Sequence, residues 1–177
     1  MPTTTPATVT SSAVPPPTWL LRTHSPIGRL QLTSDGTALT SLTIERDGML
    51  PFDSLTENSN RILDRAARQL EEYFAGRRRS FSIPLAARGT PFQHSIWDQL
   101  TALEWGEVTT YGELGMGTGR ATAGRAVGGA IGANPIPIIV PCHRVLGSDG
   151  RVTGYSGGNG IPTRLWLLEH EGILLAA

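Results

Sequence analysis

Cys142 is the sole cysteine of the chain and is followed directly by His143 and Arg144, at the end of the run Asn134–Val145, NPIPIIVPCHRV. The nucleophile of a cysteine is its thiolate. A free thiol, with a pKa near ~8.5, is mostly protonated at neutral pH, so a working cysteine needs a base, a cation or a helix N-terminus nearby. Adjacent residues of a strand face opposite sides, so Cys142 and His143 can cooperate only where the chain turns. Pro141 makes such a turn. As first residue of a short helical turn it would put Cys142 at the positive end, which favours the thiolate. A histidine serving as base is oriented through its second ring nitrogen by a carboxylate. Glu171, Glu169 and Asp149 are the candidates, and spacing does not choose among them. The plain alternative is an inert buried thiol; the adjacent His143 and Arg144, with two prolines setting the backbone, favour a reactive one. One cysteine excludes an internal disulfide and a multi-cysteine zinc site.

The elements that must position this segment belong to a chain of 177 residues, 39% apolar and 17% charged, long enough for one domain or two small ones. Gly and Pro together are about 19% of it, below the ~25–30% at which low-complexity disorder is the default. The longest apolar stretch, residues 136–142, is far short of the ~20 residues that span a bilayer, so no membrane partner is expected. Residues 1–18, rich in Thr, Ser, Pro and Ala, lack the basic start and apolar run of a secretory signal; a disordered tail and a cytoplasmic location are expected. The fifteen cations, all Arg, balance fifteen anions. With no global basic field, any nucleic acid must be held by a local cluster or by shape.

Alternating apolar residues from Trp19 to about Glu45, with a turn at Ser34-Asp35-Gly36, predict two or three short strands. Ile62, Leu63, Ala66, Ala67, Leu70, Tyr73 and Phe74 have helical spacing, and Gly76 stops that helix. Arg77-Arg78-Arg79 reads as a solvated turn near a helix C-terminus, with a phosphate contact as the functional alternative. Past a boundary near 86–90, Pro91 opens a second helix with Phe92, Ile96, Trp97 and Leu100 on one face. Two Gly- and Ala-rich helices, around 111–118 and 123–133, have the spacing of a helix-turn-helix, although Gly115, Gly117 and Gly119 weaken the first. The expected organisation is a tail (1–18), an α/β (α+β) subdomain with a short antiparallel sheet and helix (19–88), and a mostly helical subdomain with a helix-turn-helix (89–177).

Pro141-Cys142-His143-Arg144-Val145, with Asn134-Pro135 upstream and Tyr155-Ser156-Gly157-Gly158 and His170-Glu171-Gly172 downstream, resembles the O6-alkylguanine-DNA alkyltransferases. The resemblance runs from about Gly89 to Gly172 with order and spacing kept. Before Gly89 it is weak, resting on Ser25-Pro26-Ile27-Gly28 and Tyr73-Phe74-Ala75-Gly76. It implies a suicide repair protein that takes an alkyl group from a flipped-out O6-alkylguanine in double-stranded DNA onto Cys142, without turnover and without cofactor or metal. By this resemblance His143 draws the thiol proton through a bound water, and Glu171 orients His143. Asn134 ties the turn before the cysteine, and Tyr111 serves the leaving guanine. Backbone groups at Cys142, Val145 and Ser156 read the base edge, and Ile131, Tyr155 and Gly157 complete the pocket. Arg125 resembles the family's arginine finger, on a helix whose small residues, among them Ala123, Gly124 and Gly128, let the backbone approach the minor groove. The same small residues could serve helix packing instead. Departures are the glycines of the first helix, a slightly longer segment from Asn159 to Leu165, and Arg164 where lysine is common.

Residues 90–177 carry five Arg against seven acids, which suits few phosphate contacts and argues against a transcription factor. A monomer is expected, with cooperativity on DNA left open. Two rival functions are a lesion-binding protein without transfer, whose known kind replaces the cysteine, and a thiol hydrolase using Cys, His and an acid.

Overall fold

The structure is a computed structural model and describes residues 14–119 and 124–175. Its first half is an antiparallel meander of β1 (Trp19–Thr23), β2 (Leu30–Ser34) and β3 (Leu39–Ile44). Leu32 stands opposite Leu21 on one side and Leu42 on the other, and β2 is buried along its whole length. Helix α1 (Arg61–Phe74) packs on all three strands. Asn60 caps it by accepting the Leu63 amide at 2.9 Å, and its buried side is Leu63, Ala66, Leu70 and Tyr73. The chain leaves it through Gly76 at φ +73°, a conformation that suits glycine.

The second half is built around α2 (Pro91–Thr101), opened by Pro91 and a Thr90/Gln93 capping box. Helices α3 (Tyr111–Gly117) and α4 (Gly124–Gly132) pack on each other and on α2. Residues 120–123 between them, including Ala123, lie outside the described residues. The glycines of α3 are offset by a second capping box, Thr110/Glu113, and by the burial of Leu114. At Gly117 a Cβ would lie 2.0 Å from Gln99 Oε1, so glycine leaves room for the Gln99 side-chain amide to lie against α3, where its Nε2 bonds the Leu114 carbonyl. A short parallel pair, β4 (Thr109–Thr110) with β5 (Val145–Leu146), joins the start of α3 to the chain just after the cysteine. The sequence pattern did not show this pair, because strands of two residues carry no periodicity. The last helix is α5 (Ile161–His170).

The two halves share one core. Its members run from Leu30, Leu32 and Leu42 of the sheet through Tyr73 to Ile96, Trp97, Val127, Ile136 and Leu167. The free edge of β3 is covered: Leu39 bonds the Pro84 carbonyl (2.8 Å) and the Ala86 amide (2.9 Å), and the Leu42 amide bonds the Pro135 carbonyl (2.9 Å). Arg77 and Arg79 are exposed, Arg78 pairs with Glu72 at 2.6 Å, and Arg79 sits over the Trp105 ring at 5.6 Å. Helix α4 is clamped to α2 by the Trp97 indole N–H, which donates to the Ala130 carbonyl at 2.8 Å in a buried setting. Trp97→Phe leaves that carbonyl unsatisfied and opens a small void, so urea unfolding should give a stability lower by about 2–4 kcal/mol with an unchanged denaturant slope.

Candidate active site

Between Asn134 and Pro141 the chain has no regular structure and holds its shape through local bonds. The Asn134 side chain donates to the Val140 carbonyl (2.9 Å) and accepts the Ile136 amide (3.0 Å), closing the turn from both ends. Ile138 sits at φ +73° while fully buried. A β-branched residue there costs ~1–3 kcal/mol and persists only where its surroundings impose it. Pro141 then caps a single 3₁₀ turn, Cys142–Arg144, in which Cys142 is the first helical residue. The turn separates the Cys142 and His143 side chains from the alternation of a strand.

Cys142, His143, Arg144 and Glu171 are all buried. The His143 Nε2–H donates to Glu171 Oε1 at 2.9 Å. Arg144 holds both oxygens of that carboxylate, Nε to Oε2 at 2.7 Å and Nη2 to Oε1 at 3.1 Å, and its Nη1 bonds the Leu103 and Glu104 carbonyls. The Tyr73 hydroxyl, from α1, also donates to Oε1, at 2.8 Å. Of the three acids left open by spacing, Glu171 is therefore the one on His143; Glu169 and Asp149 are exposed. Burial alone would raise the Glu171 carboxyl, but His143 and Arg144 outweigh it and hold it at about 2. Facing an ionised carboxylate, Nε2 carries the imidazole proton, so Nδ1, which is buried without a protein partner, keeps its lone pair.

The sequence-based expectation that the turn would favour the thiolate needs correction for this state of the protein. Burial pushes the Cys142 thiol up, and the Asn134 and Tyr155 side chains and the charge of Arg164 offset it only in part. A three-residue turn has too little dipole to compete with desolvation. Burial likewise pushes His143 down, against the pull of Glu171. At rest both partners are neutral.

Cys142 lies on the wall of a cavity of about 160 Å³, with Tyr111, Gly128, Ile131, Gly132, Gly154, Tyr155, Ser156 and Arg164. An apolar cavity of ~150 Å³ accommodates a benzene ring, so this one is ring-sized. The Tyr111 hydroxyl is 3.3 Å from Thr153 Oγ1 at its mouth. Val145 is buried off the wall, with its amide spent on the Cys142 carbonyl. Gly157 lines a neighbouring groove rather than the cavity. Gly124 and Gly128 lie on α4, and Arg125 is exposed on the same helix.

Two buried residues had gone unassigned. Tyr73 reads as a core position of an amphipathic helix, and nothing in its spacing marks a bond to Glu171. Arg164, 1% exposed, donates through Nε to the His143 carbonyl (3.1 Å) and through Nη1 to the Gly154 carbonyl. His94 and His170 sit against Trp97 and Trp166, apart from the cysteine. Among the described residues no cluster of His, Cys, Asp and Glu could hold a metal ion.

A lone buried cysteine backed by an imidazole–carboxylate pair, beside the packed helices α3 and α4, defines a thiol protein. The family model described as 6-O-methylguanine DNA methyltransferase, DNA binding domain, matches residues 91–173, and that of the ribonuclease-like domain matches residues 22–87. The chain belongs to this family. The methylated-DNA–protein-cysteine methyltransferase of Methanosarcina acetivorans is 44% identical over 84% of this chain and 95% of its own. That of Haemophilus influenzae is 41% identical over 84% and 83%. The crystal structure of the Mycobacterium tuberculosis O6-methylguanine methyltransferase superposes with a TM-score of 0.77 at 40% identity, covering 90% of this chain and 96% of that one. A structure of the M. tuberculosis protein in complex with DNA gives 0.75 at 42% identity, covering 85% and 90%.

The shifted groups set the pH dependence of stability. His143 stays neutral when folded, while the unfolded chain takes a proton below its ordinary 6.5, so stability falls as pH drops through that value. Glu171 adds stability that is full above its unfolded 4.5 and is lost as pH falls towards about 2. Cys142 keeps its proton when folded, so stability also falls above about pH 9. Melting temperature against pH should therefore show a plateau between about 7 and 9 that descends on both sides. Within that plateau Glu171→Gln should cost about 3–5 kcal/mol of folding stability, read as a lower melting temperature, because it leaves Arg144 buried without a counter-charge.

Proposed function

We propose that this protein removes alkyl groups from the O6 position of guanine in double-stranded DNA by transferring them to Cys142, once per molecule. The observation that carries the reading is a single cysteine on the wall of a ring-sized pocket, with His143 and Glu171 behind it. Thiol and imidazole are both neutral at rest, so the nucleophile forms when the thiol proton passes to His143 Nδ1, directly or through a water, and Glu171 stabilises the imidazolium that results. The sulfur–carbon bond forms as the carbon–O6 bond breaks, and the electron pair passes to the purine, which takes up a proton. Tyr111, at the mouth, supplies the donor. The product thioether cannot be hydrolysed by these groups, and no second nucleophile is at hand, so the protein is consumed.

Helix α4 supports the DNA side of the reading. At Gly124, Gly128, Gly129 and Gly132 an added Cβ would meet nothing within 4 Å, so these glycines are not spent on packing inside the protein. At the interior positions Gly128 and Gly129 helix formation loses about 0.8–1 kcal/mol each relative to Ala. A groove wall approaching the bare backbone accounts for Gly124 and Gly129, while Gly128 and Gly132 leave room for the Cys142 cavity, with Arg125 beside them to take the place of the extruded nucleotide. Ala123 would extend that face, and Ile131, Tyr155 and Ser156 would hold the base. Of the five arginines after residue 90, Arg144 and Arg164 are buried, which leaves few phosphate contacts. The protein acts as a monomer on this reading. A thiol that must stay reduced suits the cytoplasm. None of the described helices is long and apolar enough to cross a membrane.

Intact mass after incubation with duplex DNA carrying one O6-methylguanine should show one added methyl, mapped to Cys142, with no further repair at excess substrate. Cys142→Ala should bind the DNA and transfer nothing. DNA binding with no mass change in the wild type would overturn transfer in favour of lesion recognition. Arg125→Ala should slow methyl transfer by about 10–100-fold, the rate equivalent of part of the unstacking cost, while leaving thermal stability unchanged; single-turnover kinetics reads both the rate and the end point.

A further inference from the structure

The loop from Tyr155 to Gly160 forms one wall of the Cys142 pocket through Tyr155 and Ser156. It is fastened from the other subdomain. Arg46, just past β3, donates through Nε to the Gly158 carbonyl at 2.7 Å and through Nη2 to the Ser156 carbonyl at 3.2 Å. The Asp47 amide adds a bond to Asn159 Oδ1 at 3.3 Å. The turn that presents Arg46 is itself closed by reciprocal backbone bonds between Arg46 and Met49, at 3.1 and 2.9 Å. Below the clasp the fit is close: a Cβ on Gly158 would lie 2.9 Å from Ile44 Cγ2 and 2.7 Å from Thr163 Oγ1.

On the far side of the same loop lies a groove of about 610 Å³, walled by β3, the 46–51 turn, Pro135 and Pro137. It shares Gly132 and Ser156 with the small pocket of about 160 Å³. The loop is thus a partition between a ring-sized pocket and a much larger space, and two of its carbonyls, those of Ser156 and Gly158, are held by one guanidinium while Asn159 is anchored separately to Thr163. Arg is suited to this task because its fork reaches two acceptors from one rigid plane.

We propose that Arg46 is a specificity-determining positioning residue: it keeps the partition closed and so confines transfer to small O6 substituents. The proposal rests on the transfer reading above. With the clasp released, the loop can yield towards the groove, and a bulky substituent gains room that a methyl group does not need.

The test compares the wild type with Arg46→Ala and Arg46→Lys. Arg46 is exposed, so neither change opens the core. Single-turnover rates are measured on duplexes carrying O6-methylguanine or O6-benzylguanine, and amide hydrogen exchange is followed across residues 155–160. In Arg46→Ala the benzyl-to-methyl rate ratio should rise about fivefold or more, with Arg46→Lys between, and exchange at Ser156–Asn159 should quicken. A general loosening of the fold would slow both substrates together and leave the ratio unchanged, which would overturn the proposal, as would a fall in the ratio. If the wild type transfers neither group, the repair reading fails by itself. Exchange then decides the clasp: faster exchange in Arg46→Ala supports it, and unchanged exchange overturns it.

Discussion

The buried carboxylate of Glu171 is the charge around which this molecule is assembled. Removing an ion from water is costly, and it is tolerated only where partners surround it with good geometry. Here three side chains from two places surround it: His143 and Arg144 from the turn that bears the cysteine, and Tyr73 from the helix of the first subdomain. Arg144 extends the set by binding the carbonyls just beyond α2. The reactive turn, the end of α2, the end of α5 and the inner face of α1 are thereby fixed relative to one another by one group. The same group decides which nitrogen of His143 holds its proton. Structure and chemistry make a single demand on this residue.

That arrangement explains why a subdomain without reactive residues is present at all. The sheet half contributes Tyr73 to the interior of the site and Arg46 to its outer loop, and the Leu42–Pro135 bond ties β3 to the strained segment before the cysteine. Ile138 can be held at a positive φ because it is enclosed between such contacts. The first subdomain acts as a rigid backing against which an irregular, proline-rich segment keeps one conformation.

Much of this was legible in the sequence wherever local rules govern. The spacing in α1, the proline opening α2 and the alternation in the first strands all survive in the structure, because each reports a face turned to a common core. The motif around Cys142 also located the reactive segment. Legibility failed where a property belongs to three-dimensional surroundings. Spacing could not separate Glu171 from Glu169 or Asp149, since the choice depends on how α5 ends against the cysteine turn. The glycine at 117 looked only like a weakness, yet it leaves the space that the Gln99 side-chain amide occupies. The thiol was expected to be activated by its turn, yet its burial prevails, and burial cannot be read from neighbours in the chain. Tyr73 and Arg164 are similar cases: each looks like packing or surface until the partner more than 20 residues away is known.

The enclosure of Cys142, 3% exposed and with its proton held on, has a bearing on how long an idle molecule stays usable. Small electrophiles and oxidants in a cell consume cysteines in proportion to their accessible thiolate. A protein that can act only once would be drained by such side reactions before meeting its target. Keeping the sulfur covered and neutral makes the stock of unspent molecules durable, and it hands the decision to react to whatever fits the pocket closely enough to displace a proton.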